Sequence, residues 1–256
     1  MINLLRTRWS QGYRTIAYPN KPPVIPDRFR GRPLIDGAKC VADCSKCADA
    51  CPTGAIVNLV SSQPQIDLGR CLFCMDCTEA CPYGAVHHHP DYRLAARQRD
   101  QLLVNAKDES LPQVAALEAE IRRLFGRSLK LRQVSAGGCN ACEADTNVLS
   151  TISFDLGRFG IQFVASPRHA DGLLITGPVT ANMKTALLKT YAAVPSPKIV
   201  IALGACAISG GPFMDHSEVN NGADGILSVD LYIPGCPPHP MTILEGFLRL
   251  LGRIRS

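Results

Sequence analysis

Twelve cysteines constrain this chain more than any other feature, and eight of them lie in a repeat. KCVADCSKCADACPTGAIV (39–57) recurs as RCLFCMDCTEACPYGAVHH (70–88). Cys44, Cys47 and Cys51 reappear 30 residues on as Cys74, Cys77 and Cys81, and Cys40 reappears 31 residues on as Cys71. A repeated cysteine-rich unit with short intervening strands predicts a small pseudo-symmetric domain.

Compartment decides whether such thiols pair or bind metal. No run of about 18 uncharged apolar residues predicts a membrane-spanning helix. The apolar run in MINLLRTRWS is too short for a secretion signal. The expectation is a cytoplasmic protein whose reduced, clustered cysteines hold metal. With 46% hydrophobic residues in 256, the chain can build a real core in one large domain or two ordinary ones.

The formal charge of +5 is uneven. Up to Lys39 the basic residues Arg6, Arg8, Arg14, Lys21, Arg28, Arg30 and Arg32 meet only Asp27 and Asp36. Such an arm suits an anionic lipid or acidic protein surface, or is simply solvated. No aromatic interleaving follows, so no nucleic-acid partner is expected.

Four regions follow. Residues 1–37 are a basic arm, with a short apolar-basic segment around Leu4, Leu5, Arg6 and Trp9 and an extended proline-rich strap, PNKPPVIPDRFRGRP, with little helix or sheet of its own. Residues 38–90 hold the repeat. Residues 91–127 read as a helical connector. Ser110 and Gln113 suggest a capping box, Val114, Leu117, Ile121 and Leu124 recur at helical spacing, and Gly126 is a stop. In residues 128–256 the apolar runs LKLRQVS, GIQFVAS, GLLITG, KIVIALG and DLYIPG alternate with helical patterns, which implies a parallel α/β sheet. Functional residues of such a sheet lie at the carboxyl ends of its strands. Cys139, Cys206 and Cys236 all follow strands.

GGCNACEAD (137–145) raises its own question. Cys139 and Cys142 alone suit a redox dithiol, half of a zinc site or half of a cluster site. A dithiol leaves Cys206 in ALGACAISGG and Cys236 in YIPGCPPHP unexplained. Four cysteines from three strand-end loops would complete a tetrathiolate site. A 4Fe–4S cluster is the leading reading and zinc the competing one. His87, His88 and His89 are adjacent on a strand, so they cannot converge on one metal.

The run Cys71, Cys74, Cys77, Cys81-Pro82 fits C-x2-C-x2-C-x3-C-P at every position and resembles the bacterial two-cluster ferredoxins. The first unit departs by one residue, between Cys40 and Cys44, which widens a loop without removing a thiol. That resemblance implies one 4Fe–4S cluster on Cys40, Cys44, Cys47 and Cys81, and another on Cys71, Cys74, Cys77 and Cys51. Thiolates are soft ligands suited to iron–sulfur clusters, whereas this dense spacing is not that of zinc modules.

CNAC, ADGLLITGPVT, KIVIALGACAISGG and YIPGCPPHP resemble the small subunits of membrane-bound, energy-converting NiFe hydrogenases and the homologous subunit of respiratory complex I. That resemblance implies a proximal 4Fe–4S cluster on Cys139, Cys142, Cys206 and Cys236. The complex I branch carries its first two ligands as adjacent cysteines; Asn140 and Ala141 between them here favour the hydrogenase side. Residues 1–90 resemble the two-cluster ferredoxin subunit of the same assemblies, which implies a fusion of two subunits. The implied fold class is α/β, a C-terminal flavodoxin-like parallel sheet domain plus an N-terminal two-cluster ferredoxin-like α+β domain.

The function so implied is an electron wire of three 4Fe–4S clusters, not catalytic alone. Its expected partners are a NiFe-hydrogenase-type large subunit, membrane subunits and a soluble electron donor or acceptor. Its expected location is peripheral, on the inner face of the cell membrane. The nearest rival is a hydrogenase-related or complex I-like assembly that uses a quinone or another acceptor. Rivals of a different class are a CxxC thiol–disulfide oxidoreductase and a zinc-bearing assembly module. Glu143 and Asp145 could assist proton movement or serve the helix start, and His239 could donate to a cluster sulfur or sit in a surface turn.

Overall fold

The computed structural model describes residues 2–41, 43–57, 64–105, 111–112, 114–125 and 128–254. Helix α1 (Ile2–Gln11) has no buried residue. The strap after it is pinned to the body: Ile16 N–H donates to the Ser153 carbonyl (2.9 Å), and Arg158 donates to the carbonyls of Ile16 (2.8 Å) and Tyr18 (2.9 Å).

The two cysteine units form matching halves. Strand β1 (Arg32–Ile35), helix α2 (Lys46–Asp49) and strand β2 (Ile56–Val57) make the first. Strand β3 (Gln65–Asp67), helix α3 (Asp76–Ala80) and strand β4 (Val86–His89) make the second. β1 pairs antiparallel with β4, and β2 with β3, so each half reaches across to the other. The strap, read as free of sheet, therefore ends in one: Arg32 and Pro33 lie opposite His89 and His88. A two-stranded ladder has only edge strands, where proline is tolerated.

The connector departs further from expectation. Among the described residues of 91–127, only α4 (Ala119–Phe125) is an α-helix. Leu103–Val104 instead forms strand β5 beside β3. Ser110, Gln113 and Gly126 lie outside the described residues. Val114 and Leu117 are buried as their spacing suggests, but along an irregular path on which Leu117 N–H bonds the Leu250 carbonyl (2.9 Å). Backbone partners offered by β3 and by the chain near Leu250 outweigh a weak helical preference.

Strands β6 (Leu129–Ser135), β7 (Ile161–Phe163), β8 (Gly172–Thr176), β9 (Ile199–Leu203) and β10 (Leu231–Ile233) form one parallel sheet in the order β10-β9-β8-β6-β7. Counted within this domain the order is the flavodoxin-like 2-1-3-4-5, which reverses between β6 and β8. Every residue of β8, β9 and β10 is buried, as a parallel sheet covered on both faces requires. Helix α5 (Ala141–Val148) follows β6, and α7 (Ala205–Ser209) follows β9. Helix α6 (Ala181–Ala193) packs Leu187 against Leu173, Ile175 and Val200 on one face. Helix α8 (Pro240–Leu250) packs Ile243, Leu244 and Phe247 with Leu174, Ile201 and Ile233 on the other. All of α8 is buried. It starts on Pro240, with His239 Nδ1 accepting the Met241 N–H (3.1 Å).

The two domains share a core. Leu68, Leu94, Leu102 and Val104 pack with Ala202, Ala207, Ile208 and Tyr232. Ala96 and Tyr232 exchange backbone bonds of 2.9 and 2.8 Å, and the Ser209 hydroxyl donates to the Gly69 carbonyl (3.0 Å). The expected α/β class, with a flavodoxin-like parallel sheet in the C-terminal domain and an α+β domain before it, is the one observed.

Candidate iron–sulfur centres

All twelve cysteines are free thiols, and their mutual repulsion sorts them into three groups. The first contains Cys71, Cys74 and Cys77 with Cys51 from the other repeat. Burial pushes Cys71 up to about 12 and Cys77 up to about 11, and repulsion from Cys51 and Cys74 adds to both. These four thiols line a small void between the halves, together with Ile56, Ile66, Phe73 and Met75.

The second group mirrors it. Burial raises Cys40, with repulsion from Cys44 and Cys81, and burial raises Cys47, with repulsion from Cys81 and Cys40. Cys81 goes the other way. Its burial is outweighed by the N–H groups of Val86, Tyr83, Ala85 and Gly84, which hold it below the usual thiol value. The last cysteine of each repeat sits in the same cradle: Ala55 N–H lies 3.2 Å from Cys51 Sγ, and Ala85 N–H lies 3.3 Å from Cys81 Sγ. Phe73 N–H adds a contact of 3.3 Å to Cys71 Sγ.

The third group gathers three strand ends. Cys139 and Cys142 lie between β6 and the first turn of α5, Cys206 in α7 beyond β9, and Cys236 beyond β10. Burial pushes Cys142 up, reinforced by Cys206, Glu143, Cys236 and Cys139. Burial pushes Cys206 up to about 11, reinforced by Cys236 and Cys139. Two glycines make room. A Cβ on Gly204 (φ +89°) would stand 2.6 Å from Cys142 Sγ, and one on Gly211 (φ +57°) would stand 2.8 Å from Cys206 Sγ. Cys139 and Cys236 are exposed, so this group opens at the surface.

The groups also act on one another through charge. Cys77 of the first group is repelled by Cys47 of the second, and Cys236 of the third by Cys74 of the first. Thiolates packed this closely repel one another, and a soft polynuclear metal centre neutralises them. The backbone N–H groups aimed at sulfur suit such a centre as well.

The family described as "NADH ubiquinone oxidoreductase, 20 Kd subunit" matches residues 139–250, and "4Fe-4S dicluster domain" matches residues 39–85. The probable membrane-bound hydrogenase subunit mbhJ of Pyrococcus furiosus is 41% identical over 53% of this chain and 81% of its own length. The chain belongs to the 20 kDa-subunit family of NADH ubiquinone oxidoreductase. An NADH-quinone oxidoreductase subunit of Heliobacterium modesticaldum is 41% identical over 56% of the chain and 81% of that protein. Formate hydrogenlyase subunit 7 of Escherichia coli is 47% identical over 58% of the chain, which spans 57% of that relative. The chain is thus an iron–sulfur electron-transfer subunit of a hydrogenase or complex I-like assembly, with a dicluster domain joined to the family's domain.

In the 20 kDa-subunit domain Glu143 is buried beside the thiols and accepts the Thr176 hydroxyl (2.5 Å). Asp145 lies further along α5, where burial raises its pKa. His239 is the N-cap of α8 rather than a surface turn residue, and its ring meets Phe29 of the strap edge-on at 5.0 Å. The three histidines of β4 diverge: His88 Nδ1 lies 3.3 Å from Thr78 Oγ1, and His87 and His89 are exposed. Sequence reasoning missed the sulfur-facing glycines. For Gly204 the signal was a glycine directly after an apolar strand; Gly211, after α7, carried no such signal.

Proposed function

We propose that the chain carries three 4Fe–4S clusters and relays single electrons to or from the NiFe large subunit of a membrane-associated hydrogenase complex. Cys40, Cys44, Cys47 and Cys81 would hold one cluster, Cys71, Cys74, Cys77 and Cys51 the second, and Cys139, Cys142, Cys206 and Cys236 the third. Bound clusters supply one-electron oxidation and reduction at potentials that charge, hydrogen bonds and burial tune. What supports the reading is the void that Cys51, Cys71, Cys74 and Cys77 line together, and the three strand ends that carry Cys139, Cys142, Cys206 and Cys236.

The protein's own work is to space and shield these groups. N–H groups beside Cys51, Cys71 and Cys81 offset negative charge at sulfur. Exposed Cys139 and Cys236 mark the face that the large subunit would cover. The Cys-Asn-Ala-Cys spacing supports the hydrogenase side. The likeness to the NADH-quinone oxidoreductase relative of Heliobacterium modesticaldum supports the second reading, a complex I-like assembly without hydrogen chemistry.

For location we propose a peripheral site on the inner face of the membrane. No helix of the described residues is long and apolar enough to cross a membrane. α1 exposes Ile2, Leu5 and Trp9 along one side, with Arg6 and Arg8 beside them, which suits the plane of an anionic bilayer.

The test is hydrogen-dependent viologen reduction by the anaerobically purified native complex, with iron per chain measured on the same sample. Activity with three clusters' iron supports the hydrogenase reading. Full iron without activity moves the reading to the complex I-like alternative, and iron for two clusters or fewer rejects the three-cluster assignment.

A further inference from the structure

Between the two domains, bordered by Cys236, lies a cavity of about 390 Å³. Pro26 and residues 28–31 of the strap form one side of it. Leu72 and Phe73, just before Cys74, form another, and residues 234–239 around Cys236 form the third. It is distinct from the void lined by Cys51, Cys71, Cys74 and Cys77. Its volume is in the range of small-molecule sites.

The chemistry of the lining is uneven. Phe29, Phe73, Leu94 and four prolines supply flat apolar walls. Phe29 is fixed edge-on against His239, and Arg30 Nη1 holds the Phe73 carbonyl (2.5 Å), so the walls are set in place. Thr242, in the first turn of α8, is 1% exposed, and its hydroxyl has no hydrogen-bond partner in the protein. A buried hydroxyl left unpaired is destabilising, so such a group beside a cavity points to an occupant. His239 Nδ1 already accepts the Met241 N–H, which leaves its other ring nitrogen as the N–H donor. Arg28 adds a cation. Against these donors stands one carboxylate, Asp145.

We infer that this interdomain cavity binds a flat aromatic molecule carrying a carbonyl or carboxylate oxygen, with the Thr242 hydroxyl donating to that oxygen. The ring lies between Phe29 and Phe73. The inference concerns binding alone and does not depend on how many clusters the chain carries.

The probe is 2-naphthoate, titrated calorimetrically into the full chain purified anaerobically, with naphthalene as the acceptor-free comparison and iron per chain measured throughout. Saturable 2-naphthoate binding is expected, tighter than that of naphthalene. Thr242→Val should weaken it roughly tenfold and Thr242→Ser should restore it. Without probe, Thr242→Val should raise the melting temperature by about 2–4 °C, because it removes a buried unpaired hydroxyl. Phe29→Ala should weaken both probes. Absent binding at millimolar 2-naphthoate, unchanged affinity in Thr242→Val, or a lower melting temperature of that variant without probe would each overturn the inference.

Discussion

The dicluster domain and the 20 kDa-subunit domain gather their thiols by different routes. In the first, three cysteines of each group come from one short loop, and the fourth crosses from the other repeat because β1 pairs with β4 and β2 with β3. In the second, the thiols come from three loops far apart in sequence, and only the parallel sheet brings them together. Cys139 and Cys142 sit at the reversal of strand order between β6 and β8, where open α/β sheets place ligands, and Cys206 and Cys236 come from beyond β9 and β10. The dicluster geometry is therefore a local property, held by N–H cradles such as Ala55 to Cys51. The proximal geometry is a tertiary property, held by close approaches such as Gly204 to Cys142.

Cysteine replacements should separate the two routes most sharply. Cys206→Ala should remove about a third of the iron and reduce electron transfer to the large subunit by at least about a hundredfold, with the dicluster iron intact. In the dicluster domain the crossing should appear as non-additivity. Cys51→Ala combined with Cys71→Ala should cost no more iron than either alone, whereas Cys51→Ala combined with Cys40→Ala should cost two clusters' worth. The reverse pattern in anaerobic iron analysis would break the crossed assignment.

Glycines should give the next largest contrast. Gly204→Ala meets both a left-handed backbone and Cys142 Sγ, so we expect a loss of about 3 kcal/mol together with iron from the proximal group. Gly84 (φ +60°) has open space where a Cβ would go, so Gly84→Ala should cost about 1 kcal/mol and leave iron unchanged. Thermal melting with iron analysis reads both. Equal losses would mean that the sheet domain tolerates shifts at its strand ends as readily as the dicluster loops do.

The same contrast governs what could be read from sequence. The repeat was legible because its spacing is its geometry. The five strands were legible because a buried parallel strand is a short continuous apolar run, as in Ile199–Leu203. That Cys139, Cys206 and Cys236 follow strands was legible too, but their meeting depends on strand order, which no single segment encodes. The connector was misread because Val114 and Leu117 are buried at helical spacing without being helical. Their partners, including the Leu250 carbonyl, are distant in sequence. Leu103–Val104 is too short to announce a strand without β3 beside it. His239 read as either a donor to a cluster sulfur or a surface-turn residue, and not as a cap, because its capping bond to Met241 depends on where α8 starts.

The smallest expected effects concern two carboxylates whose environments oppose each other. Asp91, just after β4, is buried. Desolvation would raise its pKa, but the Arg93 side chain and N–H outweigh this and lower it. A lowered value means that the ionised form stabilises the fold above the unfolded value of about 4, and that this contribution is lost only as pH falls through the lower folded value. Asp91→Asn should cost about 1 kcal/mol at pH 7, limited by the exposure of Arg93, and nearly as much at pH 5. Asp230, just before β10, accepts the Val200 N–H (2.9 Å), yet burial raises its pKa. Ionising it therefore costs stability as pH rises through the folded value. Asp230→Asn keeps an acceptor for Val200 and should be neutral to slightly stabilising at pH 7, with any gain shrinking toward pH 5. Melting temperatures at the two pH values test the pair. A cost of Asp91→Asn that fades between pH 7 and 5 would mean that Arg93 does not control that carboxylate, and the junction beside β4 would owe its stability to packing alone.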